Sequence, residues 1–229
     1  MIQGFDRIVI GVPDLDVAIA EYTVLLGARP LSPGDRQRAW LALSNTVIEL
    51  VETPGDSASI DALVLTGDVP GEREEALPNR LGLDLRLGDG RHTRDFRANY
   101  TPACLDDIGV DHLVLRAVDA ERCIDLFNKE LGIRLALDQE VPEWGGRMLF
   151  FRAGKLTLEV IANLNAGDVD AFWGLTFHCP DIAAHAASLR AAGVELSEVR
   201  DGRKPGTRVA TVHSHCLGLP TLLLQPAPR

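Results

Sequence analysis

The chain has little that would tie it to a nucleic acid, a membrane or an oxidising compartment. Its 229 residues hold 23 Lys and Arg against 33 Asp and Glu, a formal net charge of −10. A nucleic-acid surface needs clustered cations that displace phosphate counterions, so that class of partner is excluded. No apolar run approaches the roughly 20 residues needed to cross a bilayer as a helix. The opening MIQGFDRIVIGVPDLD passes straight into a strand pattern, without the basic stretch and apolar core of a secretory signal. The four cysteines, Cys104, Cys123, Cys179 and Cys216, form no C-x-x-C pair, which removes the zinc-ribbon and thioredoxin readings. Phosphate-loop, dinucleotide-binding and nucleophile-elbow motifs are missing too. The expectation is a cytoplasmic globular protein without disulfides.

What is present is a repeat. Three stretches, Phe5 to Pro30, Val110 to Leu135 and Trp173 to Leu196, share one plan. Each opens with a short run of aliphatic and β-branched residues. An Asp follows (Asp14, Asp119, Asp181) where a helix N-cap belongs, and then comes an apolar pattern of helical period. Each helix meets a glycine (Gly27, Gly132, Gly193) suited to a left-handed C-terminal cap, so the Asp-to-Gly intervals are 13, 13 and 12 residues by subtraction. The period then changes to alternation. Trp40 to Glu52, Arg147 to Ala162 and Thr207 to Gln225 each read as two strands around a turn. A degraded copy lies between Ser59 and Gly90, with strands in SIDALVLTG and LGLDLRL and a partly helix-compatible VPGEREEALPNR interrupted by Pro78. The polar, turn-rich stretch from Gly88 to Asp107 reads as a long connection between two halves, or as a lid.

The stretches FDRIVIGVPDLD with LLGARP, and VDHLVLRAVDAE with ELGIRL, GGRMLFFRAG and LTLEVI, resemble the vicinal oxygen chelate superfamily of glyoxalases, bleomycin resistance proteins and extradiol dioxygenases. The resemblance implies an α+β fold of tandem βαβββ modules, three clear and one degenerate. They would form two curled mixed-sheet half-barrel domains, residues 1–107 and 108–229. It also implies a metal held by a His or Gln on a module's first strand and a Glu on its last, and a homodimer. His112, seven residues before Asp119, and Glu159 in LTLEVI match that pattern. Imidazole with carboxylate suits iron, manganese, nickel, cobalt or zinc. The other modules depart from it: Arg7 with Glu49 in the first, Ala62 in the degraded one, and Gly174 with Leu222 in the last.

Two functions follow as expectations. One is a divalent-metal-dependent lyase or isomerase acting on a small oxygen-rich or carboxylated molecule, with Glu159 as metal ligand or base. The other is a metal-free small-molecule-binding protein of the bleomycin-resistance kind. His178, four residues after Gly174 on one strand, is the natural third ligand, or else a hydrogen-bonded strand end. His213 and His215, in VATVHSHC, alternate onto one strand face and could share an ion, or could simply be solvated. Arg7 either pairs with Glu49 in place of an ion or grips a ligand carboxylate through its planar fork. Trp144, before Gly145 and Gly146, would line a cavity mouth or cap a turn. Arg203, Lys204 and Arg208 form a basic patch, either closing over an anionic substrate or lying on a solvated hairpin.

Overall fold

In the computed structural model of the protein, which describes residues 2–28, 30–31, 37–69, 74–100, 108–144, 146–163 and 168–228, each clear repeat becomes strand, helix and returning strands. Strand β1 (Ile2–Val12) leads into α1 (Leu15–Leu26), then β2 (Arg38–Ala42) and β3 (Val47–Glu52). The degraded repeat gives β4 (Ser59–Gly67), β5 (Glu75–Ala76) and β6 (Asp84–Gly88), with no helix among its described residues. Helix α2 (Arg91–Tyr100) follows.

The third repeat gives β7 (Gly109–Ala117), α3 (Ala120–Cys123, continuing as a π-helical turn over Ile124–Glu130), β8 (Arg134–Val141), β9 (Gly146–Ala153) and β10 (Leu156–Asn163). The last gives β11 (Ala171–His178), α4 (Ile182–Ala191), β12 (Arg200–Asp201), β13 (Arg208–Val212) and β14 (Thr221–Gln225).

The caps form as the spacing requires. Asp14, Asp119 and Asp181 each accept backbone N–H groups of the first helical turn. Gly27, Gly132 and Gly193 have φ of 64°, 68° and 91°, where any side chain would be strained.

Two open mixed sheets result. One has strand order β2-β3-β1-β4-β6-β5, and the other β12-β13-β14-β11-β7-β10-β9-β8. In both, the first strand of one module lies antiparallel to the first strand of the next, β1 on β4 and β7 on β11. Alternation sends one side of each strand toward the helices. Ile8, Ile10, Ile48 and Leu50 pack there with Leu15, Tyr22 and Leu25 of α1, and Leu113, Leu115, Leu158 and Val160 pack with Cys123 and Phe127. Each such fully buried aliphatic side chain contributes ~1.5–3 kcal/mol. The residues that matter for function point to the other side.

The stretch after Gly88 differs from the sequence reading. Arg91–Tyr100 is a helix rather than an extended connection. It starts where Asp89 accepts the Arg91 N–H (2.9 Å), and Arg97 anchors it to the β2–β3 turn by donating to the carbonyls of Leu43 and Ser44. Its inward contacts are made by Thr93, Phe96 and Arg97 rather than by an aliphatic stripe, so no apolar period announces it. Among the described residues no helix is long and apolar enough to cross a membrane.

Candidate functional site

His112 and Glu159 stand on the sheet face turned away from the helices. On β7, Val110, Leu113 and Leu115 go to the core. The register against β11 slips between Thr176 and Phe177, leaving Asp111 unpaired between Val110 and His112. Such a bulge turns two successive side chains to one side. Asp111 and His112 therefore sit together, with Nδ1 of His112 2.9 Å from an Asp111 carboxylate oxygen. Beside β7, β10 runs parallel, with Thr157 level with His112 and Glu159 level with Val114. That places a Glu159 oxygen 3.2 Å from Nε2 of His112, with both side chains nearly covered, 14% and 12% exposed.

Burial raises the Glu159 carboxyl above the usual carboxylate range, and the charges of His112 and Arg203 pull it back only in part. Burial pushes Asp111 the same way, but the hydrogen bond and charge of His112, with His178 and Arg152, carry it below its ordinary value. Arg203 belongs to the β12–β13 connection, and β13 lies four strand positions from β10. A flat sheet would separate those strands by about 19 Å, so the field of Arg203 at Glu159 fits a curled sheet.

The expected third ligand does not join them. Across from His112 on β11 stands Thr176, and across from Thr176 on β14 stands Leu222. His178 lies two residues past Thr176, level with Gly109, where its charge is felt by Asp111 instead. Among the described residues no three His, Cys, Asp or Glu side chains converge as metal ligands. Both nitrogens of His112 already face carboxylate oxygens, so neither can offer a lone pair to an ion without breaking a contact. The donor set does not fit the three-ligand metal site that the resemblance implies.

The strand placement expected for His213 and His215 is corrected. Strand β13 ends at Val212, and both residues lie in the following turn, where His215 has a φ of 58° and takes Ser214 as partner (2.9 Å). The His213 N–H goes to the Glu195 carbonyl rather than into the sheet, and the turn rests on α1 through the Leu217 N–H and Glu21. Trp144 lies in a short 3-10 turn (Pro142–Trp144), but its side chain and Gly145 are outside the described residues, as is Cys104. The described cysteines are buried, and burial lifts the thiols of Cys123 and Cys179 to about 12 and about 11.

In the N-terminal half, Arg7 is enclosed by carboxylates. It donates to Glu49 (2.6 Å), Asp6 (3.3 Å) and Glu74, while Arg38 holds the other Glu49 oxygen at 2.9 Å. Burial disfavours charge on Glu49, yet Arg7 and Arg38 keep its carboxyl below its ordinary value. The ion-pair reading of Arg7 therefore describes its contacts, since its fork is occupied. Asp6 is placed like Asp111, by a register slip between Phe5 and Arg7, and accepts from Thr93 of α2. Asp6 and Asp111 escaped the sequence reading, although Phe5-Asp6-Arg7 and Val110-Asp111-His112 repeat one order of apolar residue, Asp and nitrogen base. A cleft of about 690 Å3 opens beside Arg7, between β1, β2 and α2.

Residues 111–211 match the model of the Glyoxalase/Bleomycin resistance protein/Dioxygenase superfamily. Among solved structures, a triple mutant of 4-hydroxymandelate synthase from Streptomyces coelicolor is similar over 100% of this chain and 94% of its own, with 16% identity and a TM-score of 0.72. The Mn(II)-bound glyoxalase from Novosphingobium aromaticivorans covers 98% of this chain and 82% of its own, with 14% identity and a TM-score of 0.70. No curated protein matches the chain in sequence. The superfamily's model matches 101 of the 229 residues, all within the span of the second sheet, and the structural likenesses extend the fold over nearly the whole chain. At these identities the structural likenesses carry the fold and no particular reaction.

Proposed function

We propose that the chain is a small-molecule-binding member of the superfamily, built as halves 1–107 and 108–229, that takes a compact oxygen-rich or carboxylated ligand at His112 and Glu159 without a resident metal. The observation that carries this reading is the donor set. His112 is bracketed by Asp111 and Glu159, and the facing strands offer Thr176 and Leu222 where further ligands would stand. Arg152 and Arg203 add positive field at this face, which suits an anionic group on the ligand.

One observation favours chemistry as well as binding. A carboxyl raised by burial and in contact with an imidazole is placed to take a proton from a carbon next to a carbonyl, a lyase or isomerase step in which Glu159 is the base.

The test pairs elemental mass spectrometry on untagged, chelator-free protein with a thermal-shift screen of small carboxylates and diols. The reading expects no stoichiometric metal and ligand stabilisation that His112→Ala and Glu159→Ala abolish. Near-stoichiometric metal lost in both variants would overturn it. Deuterium exchange into a hit's acidic C–H, lost in Glu159→Gln, would extend binding to catalysis.

A further inference from the structure

Two kinds of side chain in the lining of the cleft beside Arg7 favour the same ligand. One wall is aromatic. Trp40 meets Phe96 edge-on at 5.3 Å, Phe96 meets Tyr100 at 5.1 Å, and Tyr100 is 51% exposed. Aromatic faces carry negative quadrupoles that attract cations, and here Trp40 already receives the Arg7 guanidinium, 5.3 Å from its ring centre.

The charged lining is mostly acidic. Asp6, Glu74, Asp89 and Asp95 face only two guanidiniums, Arg7 and Arg91, a surplus of two negative charges. Arg7 is committed to three carboxylates and Arg91 to Asp89 at 3.2 Å. Asp95 makes no ion pair among the described residues and stands exposed on α2, one position before Phe96. The volume is in the range of small-molecule sites, roughly 300–1,000 Å3. An anion entering here would meet the excess charge, whereas a cation would be met by carboxylates and ring faces together.

From this geometry we infer that the N-terminal cleft is a second ligand site that binds a compact organic cation, an alkylammonium or quaternary ammonium group, independently of His112 and Glu159. It goes beyond the function proposed for the C-terminal sheet and does not depend on it.

Titration calorimetry on the full chain with choline, butylammonium and the size-matched anion butyrate tests the inference. Asp95→Asn and Tyr100→Ala alter exposed positions and leave the Arg7 cluster intact, and His112→Ala serves as control. The expected result is saturable binding of at least one cation, none of butyrate at this cleft, and a weakening of about threefold to tenfold in Asp95→Asn and in Tyr100→Ala. Cation binding should persist unchanged in His112→Ala. No saturable binding of either cation to ~10 mM, a level at which even a weak site with a Kd near 1 mM would fill, overturns the inference. So does cation binding that both cleft substitutions leave unchanged, or that His112→Ala removes.

Discussion

Arg7 and His112 occupy the same place in two sheets. Each follows an Asp turned sideways by a register slip, each is level with a residue near the start of a flanking parallel strand (Val47 or Thr157), and each reaches the Glu two positions further along that strand. The backbone frame is therefore common, and the difference lies in the side chain at one position. A guanidinium with three carboxylates around it is a closed electrostatic unit with a fixed charge. An imidazole between two carboxylates meets Asp111 and Glu159 with one nitrogen each and leaves Glu159 raised by burial. One frame thus yields an ion cluster around a guanidinium in the first sheet and a raised carboxyl beside an imidazole in the second. The cover differs too, because α2 crosses the first site and contributes Thr93 to Asp6.

Removing the central nitrogen base from each half should separate them most. Arg7→Ala leaves the buried carboxylates Asp6 and Glu49 without their shared guanidinium and should cost ~3–5 kcal/mol in urea unfolding. His112→Ala should cost ~1 kcal/mol or less, because Glu159 is free to take up a proton once its partner is gone. Equal losses would break the comparison.

A middle-sized effect separates Gly109 from Gly4, its counterpart on β1. A Cβ at Gly109 would come within 2.5 Å of Asn45 Oδ1 and 2.6 Å of Ser44 Oγ, whereas a Cβ at Gly4 meets nothing within 4 Å. Asn45 cannot yield cheaply, since it accepts from the Val110 N–H (3.0 Å) and donates to the Val110 carbonyl (2.7 Å). Gly109→Ala should lose ~1–3 kcal/mol, and Gly4→Ala should stay within ~0.5 kcal/mol of the parent by the same assay.

The smallest effect depends on pH. A carboxyl raised in the fold keeps its proton over a window where the unfolded chain has lost it, so its contribution to stability falls as pH rises through that window. Glu159→Gln removes the term. The variant should melt higher than the parent at pH 7–8, and the gap should close as pH falls to about 4.5, the ordinary glutamate value. A gap that widens on acidification would mean that Glu159 is depressed, like Glu49, and that the two sites are alike after all.

Much of this frame was legible in the residues. The Asp and Gly punctuation marked all three clear modules, and alternation marked β2 with β3 and β9 with β10, because local propensity and burial agree there. The pairing of His112 with Glu159 was legible through the family pattern. The bulges that turn Asp6 and Asp111 were not, since strict alternation sends neighbouring residues to opposite faces. Helix α2 was missed because RHTRDFRANY seats itself through polar and aromatic groups. His213 and His215 misled because alternation continues in VHSH after the hydrogen-bonded ladder has stopped at Val212.

The apolar cluster behind the helices takes in Ile10, Leu50 and Leu63 from one sheet and Leu113, Phe151 and Phe177 from the other without interruption. The Asn45–Val110 pair adds a bond between the turn of one half and the first strand of the next. Neither half can open without exposing apolar surface of both, so heating should produce a single cooperative transition whose calorimetric and van't Hoff enthalpies agree. A substitution felt at Arg7 would then shift the melting of the His112 site equally.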